Sequence, residues 1–584
     1  MLAVAAAAWL GWTAVKARRE LEAARTGVQQ VQAAWLAGDK AAGDVRLASV
    51  QSAADRARAL THDPVWAVAS RIPLAGQPIR TSQGLTEAVQ RLASTALPQL
   101  SVAADLQPGQ LMTATGTVDV ARLAKAAAPL SAAAESLDEV QASVAALPPS
   151  WIPAVAGARR TLLDQMVPAA RSTRAVAAAA RTVPPMLGVS GTRRYFVGFQ
   201  NPAETRGTGG LLDAFAIITA DHGHVTMTRV GANAQLPELP AVVPGVSAEY
   251  VQRYGGGGAL ELWVNSNLSP DFPEVARAWS AMWQAATGER VDGAVALDPM
   301  ALREILRATG PIPVPRVGSV DADQILSLVF TRQYTLSADV TQRKGVMLGV
   351  GTAAVRALLS GRGDRGQVLK GLTAAADAGH VLLYSANLDE QQTLDDAGLS
   401  GAVPATAAPF AEAVVVNAAG SKLDTYLDVR TDYTVTTCTA SERSVIVTVT
   451  LTNNAPDGGL PEYVTRREDK PVPAPPLGEN RVNLQVLLTR SATVSTATLD
   501  GAPLPLSAPT GKLPTSIAGG DAGFLDQGIQ AEHPSYGLEL ELPIGKPRTI
   551  TMHVSEPPSA SAPIIRAQPM IRTVVTRADV SACR

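Results

Sequence analysis

The hydrophobic period of this chain changes twice along its length, and those changes constrain its fold more than any other feature. Up to about residue 185 apolar residues recur every three or four positions: Leu21, Ala24, Val28, Val31 and Trp35, then Leu47, Val50, Ala54 and Ala57, later Leu130, Ala133, Leu137, Val140, Val144 and Leu147. Such spacing lays one apolar stripe along each helix, and small residues within it let neighbouring helices approach closely. From Thr192 short β-rich runs alternate with helical ones, the pattern of helices layered on a sheet. Beyond Phe410 period-two strands recur with turn residues between them and almost no helical pattern is left, as in a β-sandwich.

The expectation is therefore a multidomain α+β chain: a membrane anchor over 1–15, a helical bundle or stalk over 16–188, an α/β layered domain over 189–402 and a β-sandwich over 410–584. A chain of 584 residues exceeds what one hydrophobic core supports. Within the bundle the turns are expected at DPVW (63–66), RIPLAGQP (71–78), LPPSWIP (147–153) and VPP (183–185). In the middle domain strands are expected over 194–199, 214–219, 224–229, 291–297 and 381–385, and helices over 273–287, 299–309, 322–334, 345–360 and 389–397.

Compartment turns on the two ends. Residues 2–15 carry no charge, and Trp9 and Trp12 suit an interfacial belt. The run is shorter than the roughly 20 residues that span a bilayer. No basic residue precedes it, against a cleaved signal peptide, and Lys16, Arg18 and Arg19 follow it. These observations are reconciled by an anchor whose cytoplasmic flank precedes this chain start, with the bulk of a single-pass cell-membrane protein extracytoplasmic. Cys438 and Cys583 are too few for a zinc cage and compatible with one disulfide, which implies an oxidising compartment; two separate thiols are the alternative. The net charge of −2 gives no global basic field, which argues against a nucleic-acid partner and makes any anion site local.

Most short motifs carry no chemistry. GGGG at 255–258 lacks the Lys and Ser or Thr of a phosphate loop, GVGTAA at 349–354 lacks the third glycine of a dinucleotide fingerprint, and the HGH of His222 and His224 lacks a third metal ligand. Two constellations remain. One lies in a turn-rich connection at 201–210 between buried strands, with Asn201, Glu204, Arg206, Gly209 and Gly210, joined by Asp213 at the head of the next strand and Arg229 at the end of the one after. The other lies on helices: Arg332, Gln333 and Tyr334 close one, and Asp339, Gln342, Arg343 and Lys344 open another. Arginine forks and helix-terminal amides suit phosphate oxygens, and a carboxylate beside them suits a divalent cation. Arg206 is the expected anion-facing residue, with Glu204 structural; ordinary ion pairing accounts for the individual residues equally well.

The segments NPAETRGTGGLLDAF, WVNSNLSPDFPEVARAW, VDGAVALDPMALREILRATGPIPVP, TRQY, QRK, HVLLYSANLDEQQTLDDAG and NAAGSKLDTYLDV, in that order, resemble the bacterial envelope family known as domain of unknown function 4012 over about 185–435. That resemblance implies a membrane-anchored protein with a helical N-terminal region. The order of strand, Arg/Asp loop and Arg/Gln-rich helix start is more distantly similar to LytR-CpsA-Psr phosphotransferases. This second similarity implies binding of a polyprenyl-pyrophosphate-linked glycan, and transfer of its phosphate to peptidoglycan. It implies Asp213 as ligand of a magnesium ion and as a catalytic residue together with Arg206 and Arg229, and substrate binding by Asn201, Arg332, Gln333, Gln342 and Arg343. Leu211 stands where those enzymes carry an arginine, Arg229, Val230 and Gly231 replace their Arg-Asp pair, and Arg206 is the substitute for the first of these.

Two functions follow as expectations: an envelope protein that binds or transfers a lipid-linked glycan, or a non-enzymatic, membrane-anchored scaffold or adhesion protein of the envelope. The distance between Asp213, Arg206 and the helix near Asp339 is what separates them.

Overall fold

The computed structural model describes residues 2–106, 111, 113, 116–240, 243–336, 340–507 and 523–583. The chain divides into two units, one of residues 1–192 with 221–224, the other of 193–220 with 225–584.

In the first unit the three-and-four spacing folds as expected into long helices, among them Leu2–Leu36, Lys40–Thr61, Gly76–Arg91, Val120–Ala145 and Pro153–Met186. Aspartates start several of them: Asp39, Asp63 and Asp119 accept from the backbone N–H of Ala42, Trp66 and Arg122, satisfying amides that have no partner within the helix. Ala24, Val31 and Trp35 pack with Leu47, Val50, Ala53 and Ala54, and Leu85, Val140, Val144 and Met166 form a second seam. The expected turn at 183–185 lies inside the last turn of Pro153–Met186. The first helix runs unbroken through the expected boundary at 15 and 16. Thr13 and Ala17 are already buried, and the Trp66 indole donates to Thr13 Oγ1 at 2.8 Å. Among the described residues no helix is long and apolar enough to cross a membrane.

The second unit begins with a five-stranded sheet of order β3-β2-β1-β4-β7. Its strands are β1 (Arg193–Arg206), β2 (Gly209–Asp221), β3 (His224–Ala232), β4 (Gly293–Leu297) and β7 (Val381–Ser385); β5 (Ile312–Val314) and β6 (Gly318–Val320) form a separate ribbon. β1 is antiparallel to β2 and parallel to β4, and β4 is antiparallel to β7. Helix Phe272–Thr287 packs on one face, with Trp279 and Trp283 against Phe196 and Phe215. The other face carries Pro299–Thr309, Val340–Leu359 and a helix with no clear apolar period in the sequence, Arg365–Asp377. The helix expected over 322–334 is broken into Ile325–Ser327, a π-helical turn Leu328–Arg332 and Gln333–Leu336.

The remaining strands are β8 (Phe410–Asn417), β9 (Leu427–Cys438), β10 (Arg443–Asn453), β11 (Asn480–Leu488), β12 (Thr493–Leu499), β13 (Ala502–Pro503), β14 (Asp526–Gln530), β15 (His533–Leu542), β16 (Arg548–Glu556), β17 (Ile564–Ala567) and β18 (Val575–Asp579). They form a six-stranded sheet, β13-β12-β16-β10-β9-β18, and a five-stranded one, β14-β15-β11-β8-β17, sharing one core. The period of two has a further consequence in β8. Ala411, Ala413 and Val415 enter that core, while Phe410, Val414 and Val416 enter the aromatic core of the α/β layers. The strand is therefore buried on both faces, and the boundary expected near 402–410 is a shared wall. Cys438 at the end of β9 is bonded to Cys583 across a sequence separation of 145.

Candidate functional site

The ladder between β1 and β2 is interrupted where the sequence predicts a loop. Asn201 pairs with Leu211, and the next pair is Thr205 with Gly210, so Pro202, Ala203 and Glu204 leave the ladder while the strand continues to Arg206. The reason is local. Asn201 Oδ1 accepts from Ala203 N at 3.2 Å, and a Cβ on Gly210 would lie 2.2 Å from the backbone of Asn201 and Pro202. Only glycine admits that approach. Thr205 is then fixed from outside the sheet: its N–H and hydroxyl both donate to Asp424 Oδ2, at 2.8 and 2.7 Å. Asp424 is buried and also accepts from the amides of Asn417 and Asn480 at 2.8 and 2.7 Å. Burial raises its carboxyl above the ordinary range against the pull of these donors.

The excursion forms one wall of a cavity of about 220 Å³. Asn201 and Glu204 of β1, Asp213 of β2, Gln333 and Tyr334 after the π-helical turn, and Met347 line it from the α/β layers; Gly420, Lys422, Tyr463 and Glu468 line it from the loops of the sandwich. The volume is below the roughly 300–1,000 Å³ of pockets for drug-sized ligands, so it has room for a single ring-sized group.

Lys422 Nζ lies 2.5 Å from Glu204 Oε1, both side chains largely buried, and its ammonium sits 5.0 Å from the centre of the Tyr463 ring. Glu468 is paired with Arg466 at the surface. Gln333 donates to Val329 O. Tyr334 packs on Tyr463 with ring centres 5.6 Å apart. Its hydroxyl is buried and makes no well-formed hydrogen bond to a described residue, with Asn201 as a polar neighbour. Burial, then the charges of Glu204 and Asp213, raise the Tyr334 phenol well above its ordinary value, so it is a neutral donor and acceptor at any physiological pH.

The predicted residues part company here. Asn201, Asp213 and Gln333 come together in the cavity. Arg206 does not line it: its Nε donates to Val264 O at 3.2 Å, Nη1 to Thr205 O at 2.9 Å and Asn417 O at 3.4 Å, and Nη2 to Asn265 Oδ1 at 3.1 Å. Arg206 fastens the tip of β1 to neighbouring segments, and burial holds its pKa below the ordinary value. Glu204 reaches the cavity and Arg206 does not, because Glu204 lies in the interruption between Asn201 and Thr205 while Arg206 is back in the ladder opposite Gly209. Arg229 pairs with Glu289 at 3.3 Å and stands over the Trp283 ring, and Arg332 is exposed; neither lines the cavity. Gln342 and Arg343 lie in the first turn of helix Val340–Leu359, with side chains outside the described residues, as is Asp339 altogether.

No three His, Cys, Asp or Glu side chains group to hold a metal among the described residues, and Glu204 is engaged by Lys422. Asp213 stands in the cavity wall. The partners that sequence reasoning missed are Lys422, Tyr463 and Glu468. Lys422 and Asp424 fall within NAAGSKLDTYLDV, a segment already conspicuous in the sequence; Tyr463 and Glu468 have no such signal.

Residues 190–334 match the model of a family described as Protein of unknown function (DUF4012), which supports placing this segment in the DUF4012 family. No curated protein and no solved structure matches the chain.

Proposed function

We propose that the protein is an envelope ligand-binding scaffold, attached to the cell membrane with its bulk extracytoplasmic, whose cavity receives one sugar-like ring of an envelope glycan. The observation that carries this reading is the Tyr334 hydroxyl, buried in the cavity wall without a well-formed partner among the described residues. Asn201 is its polar neighbour in the wall, and a ligand hydroxyl placed against the Tyr334 hydroxyl supplies the well-formed hydrogen bond that a buried phenol favours. Around it, amides, carboxylates, an ammonium and an aromatic ring mix donors with acceptors, as a polyhydroxylated ligand requires and an apolar one does not. The bonded cysteines support an oxidising compartment, and the exposed apolar residues at the start of the first helix, Val4, Trp9, Trp12 and Val15, support attachment to a membrane surface.

Binding is favoured over phosphoryl transfer because Arg206 and Arg229, two of the three residues implied in catalysis, are engaged elsewhere. The resemblance to LytR-CpsA-Psr enzymes supports a glycan carried on polyprenyl pyrophosphate, or the peptidoglycan that receives it, as the source of the ring. The test is calorimetric titration of the full chain with soluble peptidoglycan oligosaccharides and with a short-chain prenyl-pyrophosphate glycan. Saturable binding that is lost in Lys422→Ala upholds the reading; no binding of either probe, or binding indifferent to Lys422, overturns it. Transfer of a glycan phosphate that disappears in Asp213→Ala replaces it with the enzymatic one.

A further inference from the structure

The helical unit contains a second hollow of opposite chemistry. An open groove of about 1070 Å³ runs between the first helix, the segment around Gly76–Arg91 and the helix Pro153–Met186. Leu21, Val28, Leu92, Leu100, Leu162 and Met166 are among the residues that make its lining predominantly apolar. An apolar hollow of this size is not filled favourably by water.

Its length, lining and basic residues indicate what fills it. On the first helix the lining extends from Arg18 to Trp35, 17 residue steps, or about 25 Å at 1.5 Å per residue. Spread over that length, the volume describes a long, narrow hollow with an apolar lining. An extended hydrocarbon chain matches that length and lining, and the basic residues and exposed tryptophans near one end favour a lipid. At one end the groove meets Arg18, and Arg25 lines it about 10 Å further along the helix. Arg18 is paired with Glu22 at 2.9 Å, and Arg25 is exposed with no ion-pair partner among the described residues. The same helix continues towards its N-terminus into exposed Val15, Trp12, Trp9 and Val4. Trp12 precedes Arg18 by six residues, about 9 Å. Exposed tryptophan and apolar residues beside basic ones mark a segment that lies in a bilayer interface, so the groove opens one to two turns from where such a helix would touch lipid.

We propose that this groove holds one long-chain lipid drawn from the membrane, its hydrocarbon in the channel and an anionic head group at Arg18 and Arg25. The proposal rests on the membrane attachment in the reading above and is independent of the glycan cavity. Full-length protein is incubated with dioleoylphosphatidylglycerol vesicles, re-isolated and weighed by native mass spectrometry, with dioleoylphosphatidylcholine vesicles as a second arm. The expected result is one phosphatidylglycerol per chain. Ala158→Trp and Ala169→Trp place bulk on exposed positions of the lining and should each lower retention at least tenfold with helical circular dichroism unchanged; Arg25→Glu should lower retention of the anionic lipid several-fold more than that of phosphatidylcholine. Tyr334→Phe should leave lipid retention unchanged, which separates failure of the cavity from failure of the groove. No lipid retained by the wild type, or retention indifferent to both tryptophan variants, overturns the proposal.

Discussion

The two units solve the placement of charge in opposite ways. In the helical unit the ion pairs ride on the surface: Arg174 and Asp138 at 2.8 Å, or Arg91 and Glu139 at 3.2 Å, with all four side chains more than 40% exposed. In the second unit several are taken inside. Arg443 and Glu556 pair at 3.4 Å with side chains 2% and 1% exposed, Arg566 reaches Glu412 at 3.1 Å, and Arg481 bridges Asp469 and Glu539 at 2.9 and 3.1 Å. A hollow between alanine-rich helices selects mainly by shape and apolar surface, with charge only at exposed residues of its lining such as Arg18 and Arg25. A hollow walled by buried, hydrogen-bonded charge selects by donor and acceptor position, since a mismatch leaves a desolvated group unpaired.

The comparison is broken most severely by removing a buried anchor. Asp424→Ala strands the Thr205 amide and hydroxyl and two asparagine amides, and is expected to cost roughly 3–5 kcal/mol in urea unfolding of the second unit, with loss of glycan binding because Glu204 adjoins Thr205. Next comes the covalent tie. Cys583→Ser opens a loop of 145 residues and is expected to cost about 2–5 kcal/mol, lowering the second unit's transition and leaving that of the helical unit in place.

A smaller effect separates the units by pH. Burial pushes the Asp271 carboxyl up to about 6, against a hydrogen bond from the Val403 N–H. Its folded value therefore lies above the roughly 3.9 of an unfolded chain. The stability it contributes is fully present below that unfolded value and is lost as pH rises through about 6. Because the side chain is partly exposed, the difference is about 1–2 kcal/mol. Wild type minus Asp271→Asn, measured by urea unfolding between pH 4 and 7, should show that slope. The smallest effect sharpens the contrast from the other side: Asp138→Ala breaks an exposed pair in the helical unit and should change stability by only about 0.2–1 kcal/mol.

Much of this architecture is legible in the periodicity. The seams at Val31, Trp35, Leu47 and Val50, the strand pattern of β9 and β10, and the helix at Pro299 behind the Asp298 cap follow from local rules about spacing and capping. The broken helix around Leu328–Arg332 does not, because a π-helical turn leaves the apolar spacing intact while rotating everything after it. That rotation presents Gln333 and Tyr334 to the cavity. Half of the site is legible for a related reason. Asn201, Asp213 and Gln333 stand out as polar groups beside buried strands, whereas Tyr463 and Glu468 join them only through tertiary packing. Arg206 shows the converse: a charged residue in a glycine-rich turn reads as a ligand contact, yet backbone carbonyls from three directions consume its donors.

The most direct measurement is made on Tyr334→Phe. If its hydroxyl awaits a ligand, removing it costs the fold little: the unliganded protein should be at least about as stable as the wild type, while affinity for the cell-wall oligosaccharide falls about tenfold or more. A variant that is less stable and binds undiminished would contradict the account, since the hydroxyl would then serve the fold and not a ligand.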